Sequence, residues 1–267
     1  MIGVFDSGIG GLTVLRALSA QLPDYDILYL GDTARAPYGS KSAETVSRFT
    51  FENIALMLQQ GARLIVLACQ SAAGAAMNRL QSNCAVPIFD TVAPAVATAV
   101  AQSRSLRIGV MADRATVDCG LYPKMILESR PEARVFSAVC PLLVPLTEEG
   151  WVKKPLTRMI VKKYLHSLKV RRIDTLILGN PCYALLASVI QAKIGRRVRI
   201  VDAADSVSKQ LGRYLAAHPD LNRTLPKSGR IRLVFTDLTP QVEKTAGSIM
   251  KQSLPLESTT DIRQLTA

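Results

Sequence analysis

The chain has 267 residues of which 48% are apolar, enough for one large or two ordinary domains with proper cores, and this composition excludes wholesale disorder. Its five cysteines (Cys69, Cys84, Cys119, Cys140, Cys182) form no close pair, and neither of its two histidines, His166 and His218, stands at ligand spacing from one. That argues against a disulfide framework and a metal centre. The net charge of +12 gathers between Trp151 and Arg172, a window with many lysines and arginines and no acidic residue.

The opening MIGVFDSG reads as a strand, Ile2 to Phe5, without a basic leader or signal core, and apolar runs such as Ala93 to Ala101 fall short of a membrane span. A cytoplasmic chain with no membrane partner is expected. Helical apolar spacing follows over Leu12 to Leu22, then strands at Ile27 to Leu30 and Leu64 to Ala68 flank a helix over Ser42 to Gln60. Further strands are predicted at Ile88 to Phe89, Ile108 to Met111, Val135 to Val139, Leu176 to Leu178, Val198 to Val201 and Ile231 to Phe235. Helices are predicted at Leu156 to Leu168 and Ala204 to Ala217. This alternation predicts an α/β fold with parallel sheets. So many strands suit two lobes better than one sheet, and the stretches Pro87 to Pro94 and Pro219 to Gly229 look like places where the chain changes layer or domain.

Lys154, Arg158 and Lys162 follow one another at i, i+4, so on a helix they would share a face that attracts phosphates or acidic partners. A solvated helix face is the favoured reading, because no aromatic residues interleave with the charges of Lys153 to Arg172 as base-stacking platforms for nucleic acid would.

In doubly wound folds ligands collect at the carboxyl ends of strands, so the residues just after each strand carry the functional argument. After the first comes Asp6-Ser7-Gly8-Ile9-Gly10-Gly11, a glycine-rich turn that either holds a carboxylate or phosphate on free amides or is simply a tight turn. Thr13, standing where a dinucleotide fingerprint needs glycine, speaks against a nucleotide. After the second comes a polar loop, Gly31 to Ser42, long enough to fold over a ligand. After the third comes Ala68-Cys69-Gln70-Ser71, a thiol at a helix start where the dipole lowers its pKa and favours thiolate; an inert buried cysteine is the equal alternative.

Taken together, DSGIGGLTVLRAL at 6–18, YLGDTARAPYGSKS at 29–42 and LACQSAAG at 67–74 resemble the glutamate racemases of bacterial cell-wall synthesis, with weaker matches through ATVDCGLY, CPLLVPLTEEG, LILGNPCYALL and VDAADSV. The resemblance implies two similar doubly wound parallel-sheet lobes with the active site between them, 1–96 plus 206–267 forming the first and 97–205 the second. It also implies a cofactor-free enzyme in which one thiolate removes the α-proton of a small acidic amino acid and an opposite thiol returns one to the other face. By the resemblance Cys69 is the first catalytic cysteine. Asp6 and Ser7 lie near it and the amino group, and Pro37, Tyr38 and Gly39 form the substrate loop. Gln70, Ser71 and Thr116 are binding positions, and Glu148 is the acid that supports the second cysteine.

The second catalytic block of the family reads Gly-Cys-Thr-His-Tyr, whereas this chain has Gly179-Asn180-Pro181-Cys182-Tyr183. Asn180 therefore stands at the second catalytic cysteine, and Pro181 replaces a threonine that binds substrate. Gln70 and Ser71 replace asparagine and threonine, and Ala93 replaces a glutamate. Asn180 is a favoured N-cap and Pro181 a favoured first helical residue, so Asn-Pro-Cys reads as a helix start with Cys182 in its first turn. An extended chain covers roughly 6 to 7 Å in two residues, so Cys182 would need a rebuilt turn to take over the vacated role. Three readings remain: a racemase pairing Cys69 with Cys182 or a water-linked group; a relative that binds a small acidic ligand with one-base or no chemistry; and a protein whose basic segment binds nucleic acid. A homodimer is compatible with all three.

Overall fold

The computed structural model describes residues 1–251 and 254–259. Its strands are β1 (Ile2–Asp6), β2 (Ile27–Gly31), β3 (Leu64–Leu67), β4 (Ile88–Asp90), β5 (Arg107–Ala112), β6 (Arg134–Val139), β7 (Thr175–Gly179), β8 (Arg199–Val201), β9 (Ile231–Phe235) and β10 (Leu256–Ser258). The helices are α1 (Leu12–Gln21), α2 (Ala43–Gln59), α3 (Gln70–Asn83), α4 (Val92–Gln102), α5 (Arg114–Asp118), α6 (Leu121–Ser129), α7 (Leu143–Glu148), α8 (Pro155–Val170), α9 (Ala187–Ile194), α10 (Ala203–Ala217), α11 (Pro219–Thr224) and α12 (Pro240–Met250). A six-stranded sheet runs β10-β9-β2-β1-β3-β4 and a four-stranded sheet runs β6-β5-β7-β8. All their pairings are parallel.

Every predicted strand is present. The sequence reading missed β10, a short edge strand (Leu-Glu-Ser) with neither an apolar run nor an alternation to announce it. The chain leaves the first sheet after β4 and enters the second through α4, within the expected Pro87 to Pro94 stretch. It returns after β8 through α10, and Pro219 to Gly229 then carries it from helix layer to sheet.

Strands β1, β2, β3 and β7 are buried along their whole length, as parallel strands covered on both faces must be. Alternate residues serve opposite layers. Ile2, Val4, Tyr29 and Val66 pack with Leu15, Leu211 and Ile249 of the α1, α10 and α12 layer. Phe5, Leu30, Ile65 and Leu67 pack towards α2 and α3 in a cluster that continues into Val110, Ala112, Tyr122 and Ile177 of the second lobe. Met111, Leu176 and Leu178 close a third cluster under α8 and α9. Helix α8 buries Thr157, Val161, Leu165 and Leu168, whereas Lys154, Arg158 and Lys162 are exposed. Among the described residues no helix is long and apolar enough to cross a membrane.

The loop after β2 is tied down by one carboxylate. Asp32, fully buried, accepts from Arg35 Nε at 2.7 Å, Asn53 Nδ2 at 3.0 Å and Thr236 Oγ1 at 2.9 Å, and also from the Tyr38 hydroxyl. Arg35 pairs in addition with Glu52. Residues from the loop, α2 and the end of β9 thus converge on one acid. Asp32→Ala strands those donors, and we expect unfolding free energy to drop by about 3 kcal/mol, read as a lower urea midpoint at unchanged slope.

Candidate functional site

Parallel register decides which strand-end residues meet. Ala112 of β5 pairs with Gly179 of β7, so Asp113 and Asn180 emerge side by side. In the other sheet Asp6 pairs with Gly31 and Phe5 with Leu67, so Asp6 and the Ala68-Cys69 step leave together. The two sets of strand ends face one cavity of about 110 Å³. From the first lobe Asp6, Ser7, Cys69, Ser71 and the loop residues Pro37, Tyr38 and Gly39 line it. From the second lobe come Asp113, Arg114, Glu148, Asn180, Pro181 and Cys182.

Two expected binding residues do not reach the wall. Gln70 opens α3 but is 1% exposed, with both polar atoms of its amide enclosed and unpartnered. Thr116 lies behind the wall, its hydroxyl 3.2 Å from Ser71 Oγ. The Tyr38 ring lines the cavity, but its hydroxyl is spent on Asp32. The glycine-rich turn is likewise less open to a ligand than expected. The amides of Gly8 and Gly11 donate to Asp6 Oδ2 at 3.2 and 2.9 Å, so the turn wraps its own carboxyl group.

Cys69 occupies the N-cap position of α3 with extended backbone, and its thiol donates to Ser7 Oγ at 3.4 Å. The expected thiolate at rest is not what this setting favours. Burial, and then the adjacent Asp6, push the Cys69 thiol up to about 12, outweighing the Ser7 contact and the Ala72 amide that pull it down. A helix start lowers a thiol pKa only where the charge keeps enough solvation, and Cys69 is 4% exposed.

Across the cavity, Asn180 is extended, Pro181 opens a 3-10 turn (Pro181–Leu186), and Asn180 Oδ1 caps it by accepting from the Cys182 amide at 2.9 Å. The helix start read from Asn-Pro-Cys is therefore real, and it brings Cys182 onto the cavity wall. Its sulfur rests on Gly10, where a Cβ would come within 2.4 Å of it. Burial raises this thiol well above the ordinary range, and Glu148 and Asp6 raise it further. Thr13, the residue that breaks the nucleotide pattern, donates to Gly10 O at 2.9 Å and lies 3.3 Å from Pro181 O, joining the two turns.

Asn180 uses both ends of its amide, since Nδ2 donates to Asp113 Oδ2 at 3.0 Å. Asp113 was not singled out in the sequence, although it follows β5 directly. It caps α5 by accepting from Thr116 N at 2.9 Å, and Ser71 Oγ donates to its carboxylate at 3.2 to 3.3 Å. Gly39 lets the substrate loop close on it, because a Cβ there would lie 2.7 Å from Asp113 Cγ.

Glu148 ends α7, and its carbonyl accepts from Gln241 Nε2 at 2.8 Å and Thr245 Oγ1 at 3.0 Å, fixing the helix to α12. Burial, with Asp6 and Glu149 adding, raises its carboxyl from 4.5 to about 7. The folded chain therefore holds a proton that the unfolded chain releases above 4.5. Stability is expected to fall as pH rises through that window and to stay lower above about 7, by at most about 3 kcal/mol. Glu148→Gln should flatten the slope, which urea unfolding of both proteins at pH values on either side of the window would measure.

The family model for Asp/Glu/Hydantoin racemase matches residues 3–211. The chain is 37% identical over 255 residues to the glutamate racemase of Syntrophus aciditrophicus, covering 95% of this chain and 94% of that one. It is 39% identical over 256 residues to the glutamate racemase of Aquifex pyrophilus, covering 96% of each. Among solved structures, a glutamate racemase isoform from Bacillus anthracis superposes with a TM-score of 0.91 at 31% identity over 97% of both chains. A Francisella tularensis glutamate racemase in complex with D-glutamate gives a TM-score of 0.89 at 31% identity, covering 97% of this chain and 96% of that one. Matched along nearly its whole length in sequence and fold, the chain belongs to the Asp/Glu/hydantoin racemase family.

Proposed function

We propose that this family member is a cofactor-independent racemase of a small acidic amino acid, glutamate by its likeness to the relatives, supplying the D-enantiomer for peptidoglycan in the cytoplasm. The observation that carries the reading is that Cys69 and Cys182 line one cavity from opposite lobes. Each has a buried carboxyl group as electrostatic neighbour, Asp6 at Cys69 and Glu148 at Cys182. Asn180, whose amide is spent on Asp113 and the Cys182 cap, serves as neither acid nor base near neutral pH.

In this reading one thiolate takes the α-proton, leaving a carbanion that enclosed donors stabilise, and the opposite thiol gives its proton to the other face of the α-carbon. The regenerated pair is the same with roles reversed. Thiols raised by burial ionise when a ligand supplies compensating positive charge, so base formation is coupled to substrate binding. The proton that leaves a thiol can be held by Asp6 or Glu148, both of which burial has made more basic.

The test is α-proton exchange of D- and L-glutamate in D2O followed by NMR. Exchange with inversion in both directions is expected. Cys69→Ser and Cys182→Ser should each lower inversion by about 100-fold or more. Exchange of one enantiomer without inversion would leave Cys69 as a lone base, and no exchange with any acidic amino acid would remove the enzymatic reading.

A further inference from the structure

We propose that Asp113 anchors the ammonium group of the ligand, an assignment that rests on the reading of the cavity as an amino-acid site. Asp113 lines the cavity and is 7% exposed. Its carboxylate is held by neutral donors from three places in the fold: Thr116 N on its own helix, Ser71 Oγ at the start of α3 and Asn180 Nδ2 at the end of β7. Among the described residues no ion pair includes it. Asp32, buried within the first lobe, has Arg35 against it. A buried carboxylate without a cation is costly, and this one is held by hydrogen bonds from neutral groups with no cation against it.

The arrangement also says what the ligand presents at this wall. Ser71 and Asn180 are cavity-lining donors that could receive a ligand carboxylate, and both are already turned onto Asp113. A second carboxylate brought here would meet a like charge and no free donor from either. An ammonium would meet the opposite charge, and a carboxylate with about four acceptor sites still has capacity beyond its three donors. The space is small, because the backbone of Gly39 closes on the carboxylate from the opposite loop with no side chain between.

Asp6, the other aspartate in the wall, is the weaker candidate. It is 3% exposed and wrapped by the Gly8 and Gly11 amides, and burial pushes it toward its neutral form. Arg114 is the one cation among the described residues that line the cavity, so it is the lining group with charge to offer the ligand's carboxylates.

The experiment compares binding of glutamate and of glutarate, which keeps both carboxylates and lacks the ammonium, by titration calorimetry. Wild type should bind glutamate at least about tenfold tighter than glutarate, the size of one charge-assisted hydrogen bond. Asp113→Ser keeps an N-cap acceptor for Thr116 and removes the charge. It should bring the ratio close to one, weakening glutamate and tightening glutarate. Asp113→Asn, which preserves shape, should do the same and answers the question if the serine variant unfolds. A ratio retained in the variants overturns the assignment and leaves the racemase reading standing. Wild-type protein that neither binds glutamate nor exchanges its α-proton overturns both.

Discussion

Desolvation at the meeting of two parallel sheets governs the chemistry of this molecule. Parallel strands covered on both faces end in loops that are themselves enclosed when the carboxyl ends of two sheets face each other. The acids and thiols that follow β1, β3, β5 and the β7 turn are therefore withdrawn from water together. Both thiols, Asp6 and Glu148 all move toward their neutral forms for this one reason. Asp32, also buried, serves a different end: with Arg35 against it, and Glu52 on Arg35 in turn, it fastens a loop.

Much of this order is legible in the residues themselves. The strands of both sheet interiors are apolar runs of the right length, and the rule that ligands gather after them leads straight to Asp6 and Cys69, whereas Asn180 stands out only through the resemblance. The Asn-Pro-Cys reading succeeded because capping is local, settled by a side chain and an amide two residues apart. For Cys69 the sequence leaves thiolate and inert thiol as equals, and burial decides for the neutral thiol, because a helix start is local whereas burial is not. The dipole can be inferred from Gln70-Ser71-Ala72, but the opposite lobe that shuts out water cannot.

Asp113 shows a different blind spot. In sequence it is an ordinary N-cap three residues before Thr116, and that is one of the things it is. Its second identity depends on strand register, which sets it beside Asn180, and on a glycine in a loop more than seventy positions earlier. The same register explains why Cys182 could be displaced from the expected position and still face the cavity. The 3-10 turn starting at Pro181 swings the chain back over Gly10, where the absence of a side chain admits the sulfur.

The apolar cluster that begins under β1 and β3 and ends on β5 and β7 crosses from one lobe to the other without a break. Each half has a cluster of its own on one face of its sheet, and on the other face the interior is common to both. The two halves are thus not interchangeable parts, and a lobe transplanted from a relative would arrive with half of a fitted surface. A change of side-chain volume in that shared cluster is felt by both sheets at once.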